Sequence, residues 1–276
     1  MAIITISRQL ASLGDETANE LAKHLDYRFV NKLGLEERIK SFGVEARKLE
    51  KYDERKPSFL ASLSQDRDDY LHYLKTAMLT EAEEGNCVFI GRGAAAVFKN
   101  IPGVLSVFLV APMEIRCERV KSYFHCDDRR ARLIIEQSDH DRIGFHRYFF
   151  DIDWKDPSNY HITLNTGNLH PALAAGIIKE LRDRVIGPDK ESASIIRLKE
   201  MILGQRIVHH VLYEKELPIH FLEAVVSGGN VTLFGVTNSQ ALVETVVAVV
   251  KEFTDGAGVT GIQSEIQVVR EYSVVP

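Results

Sequence analysis

Ile3-Ile4-Thr5-Ile6-Ser7-Arg8-Gln9-Leu10-Ala11-Ser12-Leu13-Gly14-Asp15-Glu16-Thr17 opens the chain and decides how the rest is read. Ile3 to Ile6 is a short apolar run suited to a buried parallel strand. A turn-like stretch follows from Ser7 to Gly14. Leu21, Ala22 and Leu25 then recur at helical spacing, and Tyr27 to Val30 reads as a second strand. Strand, loop, helix and strand in this order begin a βαβ crossover.

Working outward, residues from Leu35 to about Glu84 are charged and helical, with Pro57 and Ser58 marking a break. Leu60, Leu63, Tyr70, Leu71, Leu74 and Met78 form an apolar stripe on the second of these helices. Cys87 to Ile90 and Val104 to Val110 are near-continuous apolar runs, as expected for strands covered on both faces. A charged helical stretch from Met113 to about His146, a fifth strand at Tyr160 to Leu164 and a closing helix at Pro171 to Val185 complete an α/β domain with a parallel five-stranded sheet over 1–188. Gly187-Pro188-Asp189-Lys190-Glu191-Ser192 breaks the composition, which predicts a linker at 189–193. Residues 194–276 predict a small α+β domain. It has a helix at about Ile195 to Tyr213, strands Ile219 to Val226 and Val231 to Val236, a helix at Ser239 to Phe253 and a strand at Ile262 to Val269. Ser227-Gly228-Gly229-Asn230 is a hairpin-turn signal between the first two strands.

The 276 residues carry 34 Lys plus Arg against 39 Asp plus Glu, a net charge of −5, with 45% hydrophobic and 26% charged residues. That composition belongs to an ordinary globular protein and rules out wholesale disorder. Apolar runs such as Val246 to Val250 fall far short of the roughly 18 residues of a membrane span. The opening residues have no basic region before an apolar core, so no secretory signal is expected. Cys87, Cys117 and Cys126 form no CxxC pair and read as reduced thiols, giving a cytoplasmic expectation. Mild acidity argues against a nucleic-acid partner. Asp139-His140-Asp141 with His146 matches no metal-ligand spacing, and adjacent His209 and His210 on a helix point about 100° apart. No metal site is expected.

A loop between a strand and a helix can hold phosphate with backbone N–H groups and the positive helix end. The full motif, GxxxxGK[ST], adds a Lys for the phosphates and a hydroxyl for Mg²⁺; this chain lacks it. The Ser7–Gly14 loop is therefore either a tight connection capped by Asp15, or an anion site using Ser7, Arg8, Ser12 and the Gly14 backbone. Arg92 follows a buried strand at its carboxyl end, where open α/β sheets bind ligands, though it could equally pair with an acid. Arg116 and Arg119 either face phosphate or form a solvated helix face. Trp154 reads as a packing residue.

Residues 2–185 resemble the cytidylate kinase-like family. The resemblance is carried by Ile4-Thr5-Ile6-Ser7-Arg8, Tyr52-Asp53-Glu54-Arg55, Val88-Phe89-Ile90-Gly91-Arg92-Gly93 and Val107-Phe108-Leu109-Val110-Ala111-Pro112. Glu114 to Arg119, Asp139-His140-Asp141-Arg142 and Tyr160 to Thr166 extend it. It implies a three-layer α/β/α P-loop kinase-like fold, with 35–86 as a helical monophosphate-binding insertion and 116–147 as lid helices. It further implies that Arg55 and Arg92 contact a monophosphate, and that Arg116, Arg119, Arg142 and Arg147 approach the transferring phosphoryl group. Mg and ATP would be its cofactors if it is active. The chain departs from that pattern where it matters. Aligned on Ile4-Thr5-Ile6, the loop glycines of cytidylate kinases fall at Ala11 and Leu13 and their phosphate-binding Lys at Gly14. The cytidylate kinase-like family already lacks that Lys but usually keeps a glycine-rich loop with a basic residue near Asp15, where this chain has Asp15 and Glu16 adding negative charge to the first helical turn. Asn31 replaces an acid after the second strand, and Gly93 replaces the Asp of the cytidylate kinase motif. Little or no kinase activity is expected.

Residues 194–276 resemble the BON domain, through Gly228 to Thr237, the helix bearing Val243, Val246, Val247 and Val250, and Gly258-Val259 before the last strand. This segment has six basic and nine acidic residues, a net of −3. No basic cluster favours an anionic lipid surface. The reading is a nucleotide- or phosphate-sensing protein with a decayed ATP site, whose BON-like module senses a ligand, binds a protein partner or joins two copies as a homo-oligomer. The rivals are an active atypical nucleotide kinase, with Arg8, Arg92, Arg116 and Arg142 standing in for the missing Lys, and a scaffold with no small ligand.

Overall fold

The computed structural model describes residues 1–44 and 65–269. The chain divides into two compact units, residues 1–195 and 196–276.

In the first unit five strands, β1 (Ile3–Arg8), β2 (Arg28–Val30), β3 (Cys87–Ile90), β4 (Val104–Val110) and β5 (Ile162–Asn165), form one sheet in the order β2-β3-β1-β4-β5. Every pairing is parallel. The helices are α1 (Gly14–Leu25), α2 (Lys32–Ser41), α3 (Gln65–Glu83), the short α4 (Ala94–Val97), α5 (Met113–Phe124), α6 (Asp128–Phe150), α7 (Pro171–Val185) and the start of α8 (Pro188–His209). Strands covered on both faces read as near-continuous apolar runs; β3 is apolar throughout, and β4 is apolar except at Ser106. On one face Ile4, Ile6, Val88, Ile90, Leu105, Val107 and Leu109 pack with Leu21 of α1 and Ile178 of α7. Phe89 meets Phe98, and Phe108 meets Trp154 and Tyr160. Two buried hydroxyls, Thr5 and Ser106, satisfy one another at 3.0 Å. The architecture is the three-layer α/β/α P-loop kinase fold expected.

Boundaries differ from the sequence reading in physically simple ways. Ser7 and Arg8, expected in the loop, extend β1, because seven-residue β4 supplies partners for them at Phe108 and Leu109. The single stretch expected from Met113 to His146 is two helices, broken at His125, which adopts a left-handed conformation, and restarted by the Asp127 side chain accepting from the Arg130 N–H. Residues 189–193, expected as a linker, are helical. Pro188 opens α8, and Asp189 and Glu191 in its first turn complement the helix dipole. Tyr52 to Arg55, Pro57, Ser58, Leu60 and Leu63 lie outside the described residues.

The second unit holds β6 (His220–Ser227), β7 (Asn230–Thr237) and β8 (Gly261–Val268), with α9 (Gln240–Phe253) between β7 and β8. β6 and β7 are an antiparallel hairpin, and β8 joins β7 in parallel. Val243, Val246 and Val250, spaced by three and four, bury one stripe of α9 against Leu222, Val226, Val231, Leu233 and Ile266. Gly235 allows the bulge at the start of β6 to cross it, since a Cβ there would stand 2.7 Å from the Ile219 side chain. Among the described residues, no helix is long and apolar enough to cross a membrane.

Candidate functional site

The carboxyl ends of β1 and β3 face the loops that the sequence singles out. After β1 the chain runs through Gln9 to Leu13 into α1. Five consecutive carbonyls in this loop all accept hydrogen bonds. Gln9 O takes the Ser12 N–H at 3.3 Å and hydroxyl at 2.9 Å. Leu10 O takes Arg116 Nε at 2.8 Å, Ala11 O takes Arg119 Nη1 at 3.0 Å, and Ser12 O takes Thr166 Oγ1 at 2.8 Å. Leu13 O takes the Thr17 N–H at 3.0 Å and hydroxyl at 2.7 Å.

Within that loop Ala11 and Leu13 have φ of 60° and 57°. Left-handed backbone costs an ordinary L residue roughly 1–2 kcal/mol. These are the two positions at which glycine was expected. The backbone form that glycine would favour is thus present without glycine. Net contributions of about 1.5–3 kcal/mol for hydrogen bonds from charged donors, and about 0.5–1.5 for neutral ones, are large enough to hold it. Leu13 is also the residue that precedes α1, and no side chain caps the helix there. Asp15, expected as the cap, instead lies exposed within the first turn.

Arg8 crosses the loop's inner side. A Cβ on Gly14 would stand 2.4 Å from Arg8 Cγ, and one on Gly91 would fall against its Nη1. Glycine at both positions therefore makes room for this side chain. Its Nε lies 3.7 Å from Asp15 Oδ2, beyond hydrogen-bond length, and that buried nitrogen makes no hydrogen bond among the described residues. The carboxylate of Asp15 is 67% exposed, so this pair is electrostatically weak.

After β3, Gly91, Arg92 and Gly93 run consecutively left-handed, with φ of 73°, 52° and 74°. Arg92 is buried, bonds Glu36 of α2 at 3.0 Å and stands over the Phe145 ring at 5.8 Å. Gly93 touches the Phe150 ring at the end of α6: an added Cβ would overlap Phe150 Cε2 and Cζ. The space that an Asp would use at this position is occupied by an aromatic ring.

Arg116 and Arg119, read as approaching a phosphoryl group, donate to loop carbonyls. Arg116 is buried and forks onto both oxygens of Asp139 at 2.9 and 2.8 Å. A bidentate fork of this kind fixes the guanidinium plane. Arg119 also donates to Thr166 O at 2.8 Å, and burial pushes its pKa down with Glu16 opposing. Arg142 Nη1 lies 3.9 Å from Asp139 Oδ1. Arg147 lies in the last turn of α6. Ser7 is buried at the end of β1 beside Tyr160, whose hydroxyl burial pushes up to about 12. Ser12 is buried, and Arg55 lies outside the described residues. No metal-binding cluster occurs among the described residues.

Sequence reading missed Glu36, Phe150 and the loop-holding role of Thr166. Glu36 could have been found from its i,i+4 spacing to Lys32, with which it pairs at 3.6 Å. Asp139 stands three residues before Arg142 on one helical face, a spacing that signals an ion pair more than a metal. Nothing local in the sequence announces Phe150 over Gly93.

Comparison with known proteins places this geometry in context. The sequence model described as "Cytidylate kinase-like family" matches residues 3–168. The cytidylate kinase of Pyrococcus horikoshii is 26% identical over 184 residues, 66% of this chain and 89% of that one. That of Pyrococcus abyssi is also 26% identical, over 66% of this chain and 94% of its own. Among solved structures, an uncharacterized protein from Eubacterium ventriosum is similar with a TM-score of 0.53 and 21% identity, covering 66% of this chain and 99% of that one. This last likeness speaks to the fold alone.

Proposed function

The chain belongs to the cytidylate kinase-like family, and on that premise we propose that its first unit binds a nucleotide or another phosphorylated small molecule with little or no phosphoryl transfer. What supports this is a loop whose backbone keeps left-handed turns at Ala11 and Leu13 while its side-chain charges are wrong for a triphosphate. Gly14 stands where the phosphate-binding Lys of cytidylate kinases falls, Arg8 lies 3.7 Å from Asp15, and Asp15 and Glu16 place two carboxylates in the first turn. Kinases of this kind work by positioning phosphates and neutralising their charge. Loss of one preorganised charge-stabilising donor typically lowers rate by about 10²–10³. The residues present therefore do not fit Mg-ATP as an efficient phosphoryl donor, and no transfer step is assigned to them.

On the acceptor side, Arg92 is the cation at the end of β3, held by Glu36. With Phe150 against Gly93, no acid at position 93 is available to recognise a cytosine monophosphate. The second unit has the helix–hairpin–helix–strand order of a BON-like module, and we assign it ligand or protein-partner binding. Its net charge of −3 argues against an anionic lipid surface.

Calorimetry with Mg-ATP, CMP and dCMP, followed by a coupled ADP-release assay, tests this directly. Binding without turnover is expected. Turnover above background that disappears in Arg92→Ala would overturn it and establish an active kinase. No binding by any nucleotide would leave a scaffold.

A further inference from the structure

Three side chains, Arg116, Arg119 and Thr166, hold three consecutive carbonyls of the loop after β1, at Leu10, Ala11 and Ser12. Two come from α5 and one from the end of β5, so none is local to the loop. In a trans peptide unit the C=O of one residue and the N–H of the next point in opposite directions. Holding Leu10 O on Arg116 therefore turns the Ala11 N–H away from Arg116, and holding Ser12 O on Thr166 turns the Leu13 N–H away from Thr166. Ala11 and Leu13 are the two loop residues with left-handed φ.

We propose that Arg116, Arg119 and Thr166 are positioning residues that replace the missing glycines, forcing a glycine-type phosphate loop onto an Ala and a Leu. The inference rests on the phosphate-binding reading above and adds the means by which the loop keeps its form. It follows from geometry that a glycine loop would not require. With glycine at both positions the left-handed turns carry no steric cost, and the clamp would be dispensable. With Ala11 and Leu13 it is not. Asp139 aligns one jaw of the clamp through its fork on Arg116. Thr166 is itself fixed, its N–H donating to Val110 O at 2.8 Å.

A double-mutant cycle on the full chain decides this. Arg119→Gln and Thr166→Val are made separately, each alone and together with Ala11→Gly and Leu13→Gly. Two readouts are taken: melting temperature without ligand, and affinity for inorganic pyrophosphate by calorimetry. In the native loop each change should lower the melting temperature by about 2–4 °C and weaken pyrophosphate binding about tenfold. In the glycine background both losses should shrink, the affinity loss to less than about twofold. A purely structural bond would lose as much in either background, and equal losses in both would overturn the clamp. Binding abolished by Arg119→Gln in the glycine background, with Thr166→Val tolerated there, would mean that Arg119 touches phosphate itself, which also overturns it. If no variant binds pyrophosphate the phosphate reading fails, while the ligand-free melting cycle still decides the clamp. Should Arg119→Gln not fold, Thr166→Val carries the cycle.

Discussion

The loops after β1 and after β3 reach similar backbone conformations by opposite routes. After β3, Gly91 and Gly93 flank Arg92, so two of three left-handed residues carry no Cβ, and the turn is written into local sequence. After β1, Ala11 and Leu13 take the same region of conformational space, and side chains from α5 and the end of β5 hold the carbonyls of Leu10, Ala11 and Ser12. The first turn would survive transplantation into another protein; the second depends on its surroundings. The difference shows that a loop without glycine at its left-handed positions can still hold left-handed turns. A motif records which residues make a conformation inexpensive, and a tertiary contact can supply the same conformation at a distance.

That contrast can be broken from either side. The largest effect is expected from Asp139→Ala, which strands the buried Arg116 guanidinium without its carboxylate. Removing one partner of a buried pair costs about 3–5 kcal/mol, read from urea unfolding, and the loop after β1 should lose hydrogen-exchange protection while the loop after β3 keeps it. Gly93→Ala strikes the other loop. A left-handed Ala and a Cβ driven into Phe150 should together lower stability by about 3 kcal/mol, with Phe150→Leu recovering part of it. If Gly93→Ala proved neutral, the local account of the β3 turn would be wrong.

Protonation sharpens the comparison further. Burial raises the Tyr160 pKa to about 12. A group raised in the folded state contributes stability that is complete below its unfolded value, near 10, and lost as pH climbs from there to about 12. Melting temperature should therefore fall across that window, by the equivalent of about 2 kcal/mol, and Tyr160→Phe should flatten the fall. The smallest expected effect is at the acid end. His161 Nδ1 accepts the Ser106 N–H at 2.9 Å, which requires a neutral ring, and burial lowers its pKa with Lys190 assisting. A depressed basic group of this kind contributes stability above its ordinary value near 6.5 that is lost as pH falls below it. His161→Gln should blunt that acid-side decline.

Legibility followed the range of the interactions. β1, β3 and β4 could be read because each carries a near-continuous apolar run of the kind two-sided burial explains, whereas β2 is three residues opened by Arg28 and β5 alternates Ile-Thr-Leu-Asn. The helix of the second unit was equally plain, because Val243, Val246 and Val250 repeat at helical spacing. Arg92 stood out because it follows such a strand. Arg116 and Arg119 were legible as residues worth naming but not in what they touch: their partners, Asp139, Leu10 O, Ala11 O and Thr166 O, are 23 to 108 residues away along the chain. Phe150 over Gly93 was illegible for the same reason.

By itself the sequence determined the kind of fold, since alternation, apolar runs and turn residues act over a few positions and leave their mark there. It also determined that no GxxxxGK[ST] motif follows β1, which is a matter of composition at one site. Only the tertiary structure decided that the loop after β1 holds its form without glycine, that two arginines brace it, and that an aromatic ring occupies the place of an acid. Each of those depends on groups brought together across the sheet, where proximity is created by packing and not by order along the chain.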